Sequence, residues 1–239
     1  RAIAIILVLW RHGLYPSVHA AGMAQLLPVG GYDLATPLIN GWIGVDLFFV
    51  LSGFLIARQL LNLQEREGGL RYGPYILRRM LRILPTYVFV LLLAAAGLIP
   101  LYQAGGEALE FRVAYHLLLL QDYLASDIVT PFWSLAVEEK FYLLAPVILG
   151  CAFAIRDLRA RLALVAAAIL LAILLRLGMA MRVESGIGYE LFFRIFRQPF
   201  HACLAALALG MLAALLHRQA MASPLSRLRR HADALFWGG

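Results

Sequence analysis

Residues 162–181 read LALVAAAILLAILLRLGMAM, an apolar run of the length a helix needs to cross about 30 Å of hydrocarbon at about 1.5 Å per residue. It is not alone. Hydropathy marks comparable stretches at 41–61, 83–101, 132–154 and 199–216, and a shorter one at 111–124. The whole chain agrees: 62% of its 239 residues are hydrophobic and 15% are charged, with a mean hydropathy of +0.80, where soluble domains run nearer half apolar and a quarter charged. These values exclude an ordinary cytosolic enzyme. Collagen-like and disordered classes fall with it, and two cysteines make no disulfide framework. The expectation is an all-α fold, a polytopic transmembrane helical bundle forming a single domain over 1–239.

The net charge of +7 has a membrane explanation before a nucleic-acid one, because the arginines cluster in short segments between apolar stretches. If 111–124 crossed fully, Arg156, Arg159 and Arg161 would lie on the opposite side from Arg66, Arg71, Arg78 and Arg79, against the positive-inside rule. A re-entrant or half-inserted 111–124 removes the conflict; a full crossing with weaker charge bias is the alternative. All the clusters, with Arg218, Arg227, Arg229 and Arg230, then face the cytoplasm, and the loops at 13–40 and 184–189 lie outside. The run Ala2 to Trp10 reads as a truncated first helix and 234–239 as the start of another. The expected count is roughly seven membrane segments, in a fragment of a longer protein.

Polar residues within apolar helices are costly, so each is a candidate for function. Arg1 and His12 lie eleven positions apart on one helix, about 16 Å along its axis, with Arg1 near the cytoplasmic edge and His12 in the outer half. The stretch from Gly44 to Ile56 carries Asp46, expected to pair with Arg1, Arg11 or His12 or to meet a wet cavity, and a Ser52-Gly53 step suited to close helix packing. Arg78, Arg79 and Arg82 share a helix face at i, i+3 and i+4 spacing, a geometry for gripping phosphates or anionic lipid. In the stretch from Pro131 to Leu143, Glu138 and Tyr142 are four apart and share a face, Glu139 points elsewhere, and the chain's only lysine, Lys140, sits beside them. A carboxylate that orients an imidazole makes a general base, so Glu138 and His12, both in the outer half, form a candidate pair. His116 and His201 read as bundle histidines, and Cys151 and Cys203 as small hydrophobes. No cysteine and histidine spacing suggests a metal site.

Four of these features occur in the order found in the membrane acyltransferase family 3, which the chain resembles: Arg1-x10-His12; Phe48-Phe49-x-x-Ser52-Gly53; Arg79-x-x-Arg82; and Trp133-Ser134-Leu135-x-x-Glu138-x-x-Phe141-Tyr142. The resemblance is strong from Arg1 to about Leu144 and looser from Arg197 to Gly210. It implies a bacterial inner-membrane protein of about ten helices, of which the later ones are absent here. Its activity would be O-acyl transfer, usually of acetyl from acetyl-CoA, to an extracytoplasmic carbohydrate such as lipopolysaccharide, exopolysaccharide, peptidoglycan or glucan, or to a small molecule such as a macrolide. By the same resemblance His12 is the critical histidine with Arg1 its partner, Arg79 and Arg82, with Arg78 beside them, bind the donor, and Ser52, Gly53, Trp133, Ser134 and Glu138 matter. In that scheme His12 deprotonates the acceptor hydroxyl, Glu138 orients the imidazole, and Ser52 or Ser134 donates to the oxyanion. An acetyl-histidine relay fits equally. No cofactor is bound permanently, and the partners are acyl-CoA, the carbohydrate or glycolipid acceptor and membrane lipid. The competing classes are a transporter or flippase of a lipid-linked sugar, using the same residues as a proton relay, and a structural subunit.

Overall fold

The computed structural model describes residues 2–10, 28–29, 32–33, 41, 43–68, 71–100, 108–124, 128–155, 157–183 and 188–222. In chain order the helices are α1 (Ala2–Leu9), α2 (Ile43–Glu67), α3 (Tyr72–Ala95), α4 (Leu109–Leu117), α5 (Trp133–Ala154), α6 (Leu158–Ala180), α7 (Tyr189–Phe196) and α8 (Phe200–Ala222). A 3-10 turn, Thr130–Phe132, leads into α5, and a two-residue antiparallel pairing of Pro28–Val29 with Tyr32–Asp33 is the small departure from an all-helical chain. Among the described residues, three helices, α2, α6 and α8, are long and apolar enough to cross a membrane. The helices α3 and α5 have matching lengths of 24 and 22 residues, but they carry the arginine cluster and the Glu-Glu-Lys step that lower their apolarity. Along α6, Leu170, Leu171, Ile173, Leu174, Leu175 and Leu177 are all exposed, and in the absence of water only lipid tails solvate such a face favourably. The chain is a membrane protein.

The most extensive packing in the described residues is α2 against α8. It is a backbone-to-backbone contact: a Cβ on Gly53 would lie 2.0 Å from the Leu207 carbonyl oxygen, and one on Gly210 would lie 2.0 Å from the Val50 carbonyl oxygen. Small residues permit this approach, and in lipid, where apolar burial drives little, dispersion contacts of this kind hold helices together. Around the crossing, Phe49, Ile56, Leu60, Cys203, Leu207, Met211 and Leu215 form a core with Trp133, Phe141 and Leu149 of α5. At the far end Arg218 of α8 pairs with Glu65 of α2. Gly44 plays the same part against α1, where a Cβ would lie 2.5 Å from the Ala4 carbonyl oxygen.

Helices α3 and α5 run antiparallel. The Tyr72 hydroxyl donates to the Leu143 carbonyl at 3.2 Å, while Tyr87, four turns on, stacks on Phe132 just before α5 at 4.6 Å between centroids. Antiparallel neighbours leave no full crossing between them, and α4, nine residues long, spans only about 13 Å. The alternative of a complete crossing at 111–124 is therefore set aside. Because α5 opens level with Tyr87, it starts roughly 12 Å short of the end of α3 at Ala95, and the irregular backbone at 118–124 is recessed into the bundle.

Irregular backbone survives at that depth only if protein groups satisfy it. Lys140 donates to the Leu119 carbonyl at 2.6 Å and pairs with Asp122, whose other oxygen accepts the Phe200 N–H at 3.1 Å. Gln121 donates to the Phe132 carbonyl and to the Tyr87 hydroxyl, each at 3.0 Å, and its own carbonyl accepts from Gln198 at 2.6 Å. His116, fully buried, meets the Tyr87 hydroxyl at 3.2 Å, in keeping with its reading as a bundle histidine.

Two elements differ from the sequence expectation. The third helix begins at Tyr72 rather than near residue 83, because the arginine-bearing turns continue the helix below the apolar run and Pro85 is accommodated within it. Helix α7 is a further element the hydropathy reading did not mark; Phe193 and Phe196 turn inward, and at eight residues the element is too short to register as an apolar run. Cys203 is buried and its thiol donates to the Arg197 carbonyl, but Cys151 is exposed, against its reading as a packed hydrophobe.

Two outcomes follow for stability in detergent. Gly53→Ala and Gly210→Ala should each lower thermal stability by about 3 kcal/mol, since the new methyl meets rigid backbone rather than a movable side chain; fluorescence-monitored melting measures it. Asp122→Asn, which leaves the Lys140 ammonium without its counter-charge, should cost about 3 kcal/mol in the same assay.

Candidate functional site

Polar side chains of α2, α3 and α5 meet within the apolar core. Glu138 is buried, with 6% exposure, one turn beyond the opening of α5. Its Oε1 accepts from the Ser52 hydroxyl and its Oε2 lies 3.4 Å from the Tyr142 hydroxyl, which donates to it. The i, i+4 spacing of Glu138 and Tyr142 places both on the face turned to α2 and α3, as the sequence periodicity implies. The ring of Tyr142 carries the Arg79 guanidinium 4.8 Å above its centroid, and Arg79 also reaches over Tyr75 at 5.9 Å and donates to Gln59. A continuous polar chain thus runs from Gln59 and Arg79 through Tyr142 to Glu138 and Ser52. Its direction is set by the helices: Gln59 is two turns beyond Ser52 on α2, and Arg79 lies two turns from the start of α3, so the arginine end faces the side of the basic clusters.

The arginine cluster divides. Arg78 and Arg82 are exposed on α3, free to meet an anion, whereas Arg79 is half-buried and turned into the bundle. Beside it an open groove of about 360 Å³ runs along the same half of α2, lined by Leu55, Arg58, Gln59, Asn62, Leu63 and Arg66. Gln59, itself exposed, lines the groove and accepts from Arg79, and so joins the groove to the buried chain.

The remaining residues singled out from the sequence fall in different places. Asp46 pairs with Arg197 at 2.8 Å, a partner the sequence reading did not name; the expected partners Arg1, Arg11 and His12 lie outside the described residues. That pairing joins the start of α2 to the turn before α8, residues 151 apart, and no local spacing reveals it. Trp133 is buried edge-to-face between Phe49 at 5.9 Å and Phe193 at 5.3 Å, supporting the α5 end of the site. Ser134 donates to the Pro131 carbonyl at 3.1 Å and sits at the helix opening, apart from the polar chain. Gly53 lies against the α8 backbone, next to Ser52 rather than within the chain. His201 meets the Tyr123 hydroxyl at 3.1 Å and the Met179 sulfur at 3.2 Å. Arg1 and His12 lie outside the described residues.

Three residues belong to the site that the motif reading passed over. Gln59 and Tyr75 are polar groups at helical spacing from Ser52 and Arg79, seven and four residues away, and that spacing was the available signal. Glu139, read from helical spacing as turned off the Glu138–Tyr142 face, is buried at 1% exposure with Glu138 and Arg79 as its charged neighbours.

The similarities of the chain to known proteins bear on this geometry. Residues 1–237 match the family profile described as an acyltransferase domain, acyltransferase family 3. Among curated relatives, the peptidoglycan O-acetyltransferase of Listeria monocytogenes is 30% identical over 148 residues, 56% of this chain and 24% of that protein. A Bacillus subtilis protein named as a candidate peptidoglycan O-acetyltransferase is 31% identical over 168 residues, 64% of this chain and 26% of its own. A Staphylococcus aureus protein named as a candidate O-acetyltransferase is 30% identical over 124 residues, 47% of this chain and 20% of its own. The match therefore spans only a fifth to a quarter of these relatives' length. No solved structure matches the chain significantly. With the profile running over residues 1–237, nearly its whole length, this protein belongs to the membrane acyltransferase family 3.

Proposed function

We propose that this chain is the transferring part of an integral-membrane O-acyltransferase that takes an acyl group, usually acetyl, from acyl-CoA at the cytoplasmic face and places it on a hydroxyl of an extracytoplasmic carbohydrate in the bacterial inner membrane. The single observation that carries the reading is the Arg79–Tyr142–Glu138–Ser52 chain, which links a cationic groove at one face with a buried carboxylate deep in the bundle. The peptidoglycan named for two of the relatives favours a cell-wall glycan as acceptor. Roughly seven membrane segments fit the helix inventory, with α1 and α4 as short or partial insertions beside five long helices.

In this reading, the exposed Arg78 and Arg82, together with Arg58 and Arg66 of the groove, hold the donor phosphates, because guanidinium forks match phosphate oxygens in shape and charge. Arg79 stands at the entrance to the buried chain and guides the thioester inward. There the acceptor oxygen attacks the thioester carbonyl as His12 takes its proton. The tetrahedral intermediate collapses with cleavage of the C–S bond, and the departing sulfur takes the proton back from the imidazolium. Glu138 stabilises that transient positive charge, and its hydrogen bonds from Ser52 and Tyr142 fix its orientation.

The decisive experiment uses inside-out vesicles containing the full-length protein, acetyl-labelled CoA and host envelope extract. Label should reach envelope carbohydrate with the wild type and not with His12→Ala or Arg79→Ala. An inserted wild-type protein that neither binds CoA nor moves label refutes the donor assignment. In the same assay Glu138→Gln should reduce kcat by about a hundredfold or more with little change in donor KM, and Tyr142→Phe, which keeps the ring beneath Arg79 and loses the hydroxyl, by about tenfold.

A further inference from the structure

Among the buried polar groups of the described residues, two that lie close together in the core have hydrogen-bonding capacity unused. Both carboxylate oxygens of Glu139 are buried and unbonded, and the hydroxyl of Tyr75, which the Arg79 guanidinium approaches as a donor, has no acceptor for its own proton, in residues only 1% and 2% exposed. A carboxyl and a phenol removed from water without partners are expensive, and native interiors leave few such groups. The two belong to one place. Glu139 precedes Tyr142 by one helical turn on α5, Tyr75 precedes Arg79 by one turn on α3, and the guanidinium of Arg79 lies over both tyrosine rings. Arg79 and Glu138 are the charged groups that face Glu139, and Arg79 and Glu139 are those that face Tyr75.

We propose that Glu139 and Tyr75 form a buried subsite, beside Arg79, for the amide-bearing arm of the acyl thioester donor. The inference rests on the acyl-CoA reading above and assigns residues to a part of the donor that the arginines do not address. Its logic is complementarity. The pair offers a strong acceptor in the carboxylate and a donor in the phenol, and a secondary amide presents one N–H and one carbonyl. A cation is disfavoured because the Arg79 guanidinium already supplies positive charge at the spot, and a phosphate is disfavoured by two adjacent carboxyl groups. A sugar hydroxyl would satisfy the same groups but enters from the other side, since Tyr75 stands within one turn of the start of α3, on the side of the basic clusters. Seated there, the arm extends from the groove of Arg58 and Arg66 past Arg79 and delivers its thioester toward Glu138 and Ser52.

The test measures binding to the full-length protein in nanodiscs with two probes: acetyl-CoA, and adenosine 3′,5′-bisphosphate, which carries nucleotide phosphates but no amide arm. Glu139→Gln and Tyr75→Phe should each weaken acetyl-CoA binding by about tenfold and leave the bisphosphate unchanged. Neither variant should melt at a lower temperature than the wild type without ligand, because the Glu139 carboxyl has no partner to lose and Arg79 keeps Gln59 and both tyrosine rings when the Tyr75 hydroxyl is removed; a purely structural role would lower it. The proposal is overturned if acetyl-CoA affinity is unchanged in Tyr75→Phe and in folded Glu139→Gln, or if both probes weaken together. Failure of the wild type to bind acetyl-CoA at all would instead sink the donor reading, and this subsite with it.

Discussion

Where Gly53 and Gly210 let α2 and α8 touch backbone to backbone, the rest of the molecule takes its positions from that contact. Lipid supplies no driving force for burying one leucine against another, so helices in a membrane associate through contact density, and density is greatest where side chains are absent. The crossing places Ser52, the neighbour of Gly53, on the surface that α5 covers, and Glu138 meets it there. The glycine contact and the serine–glutamate bond are therefore one construction: a shift of α8 that accommodated a methyl group at Gly53 would move α2 and carry Ser52 with it.

A second constraint comes from the recessed segment at 118–124. A chain that turns back within the apolar layer must satisfy each of its backbone groups internally. Lys140 and Gln198 donate to the Leu119 and Gln121 carbonyls, and with Asp122, the Gln121 side chain and Tyr87 they tie the ends of α5 and α8 to α3. The lysine is the chain's only one, and it extends from the residue after Glu139. The motif that carries the catalytic carboxylate in the proposed mechanism thus also holds the loop that sets the level at which α5 begins.

Burial makes the chemistry of this site possible and costly at once. In a low-dielectric interior a carboxylate held by Ser52 and Tyr142 interacts strongly with any charge that forms beside it, and the Tyr142 ring does the same for the Arg79 guanidinium. The same interior penalises Glu139 and Tyr75 until a ligand reaches them. The cluster is polarised along the bundle axis, with cations toward one face and carboxylates deeper, an arrangement suited to a donor that enters phosphates outermost and reactive carbonyl innermost.

The all-helical membrane fold was legible in the sequence because hydrophobic length is a one-dimensional quantity: 162–181 declares itself with no knowledge of its neighbours. The i, i+4 link of Glu138 to Tyr142 was legible for the same reason, since helical spacing alone puts them on one face. Charge bias argued against a full crossing at 111–124, and the structure has only the nine-residue helix Leu109–Leu117 there. What only the tertiary structure decided are relations between distant residues: Asp46 with Arg197 across 151 positions, Ser52 with Glu138 across 86, and Arg79 turned inward over the Tyr142 ring while Arg78 and Arg82 stay out. Local spacing fixes which side of a helix a residue occupies, but which helix covers that side is settled by packing, and packing here is decided at two glycines that carry no side chain to announce it.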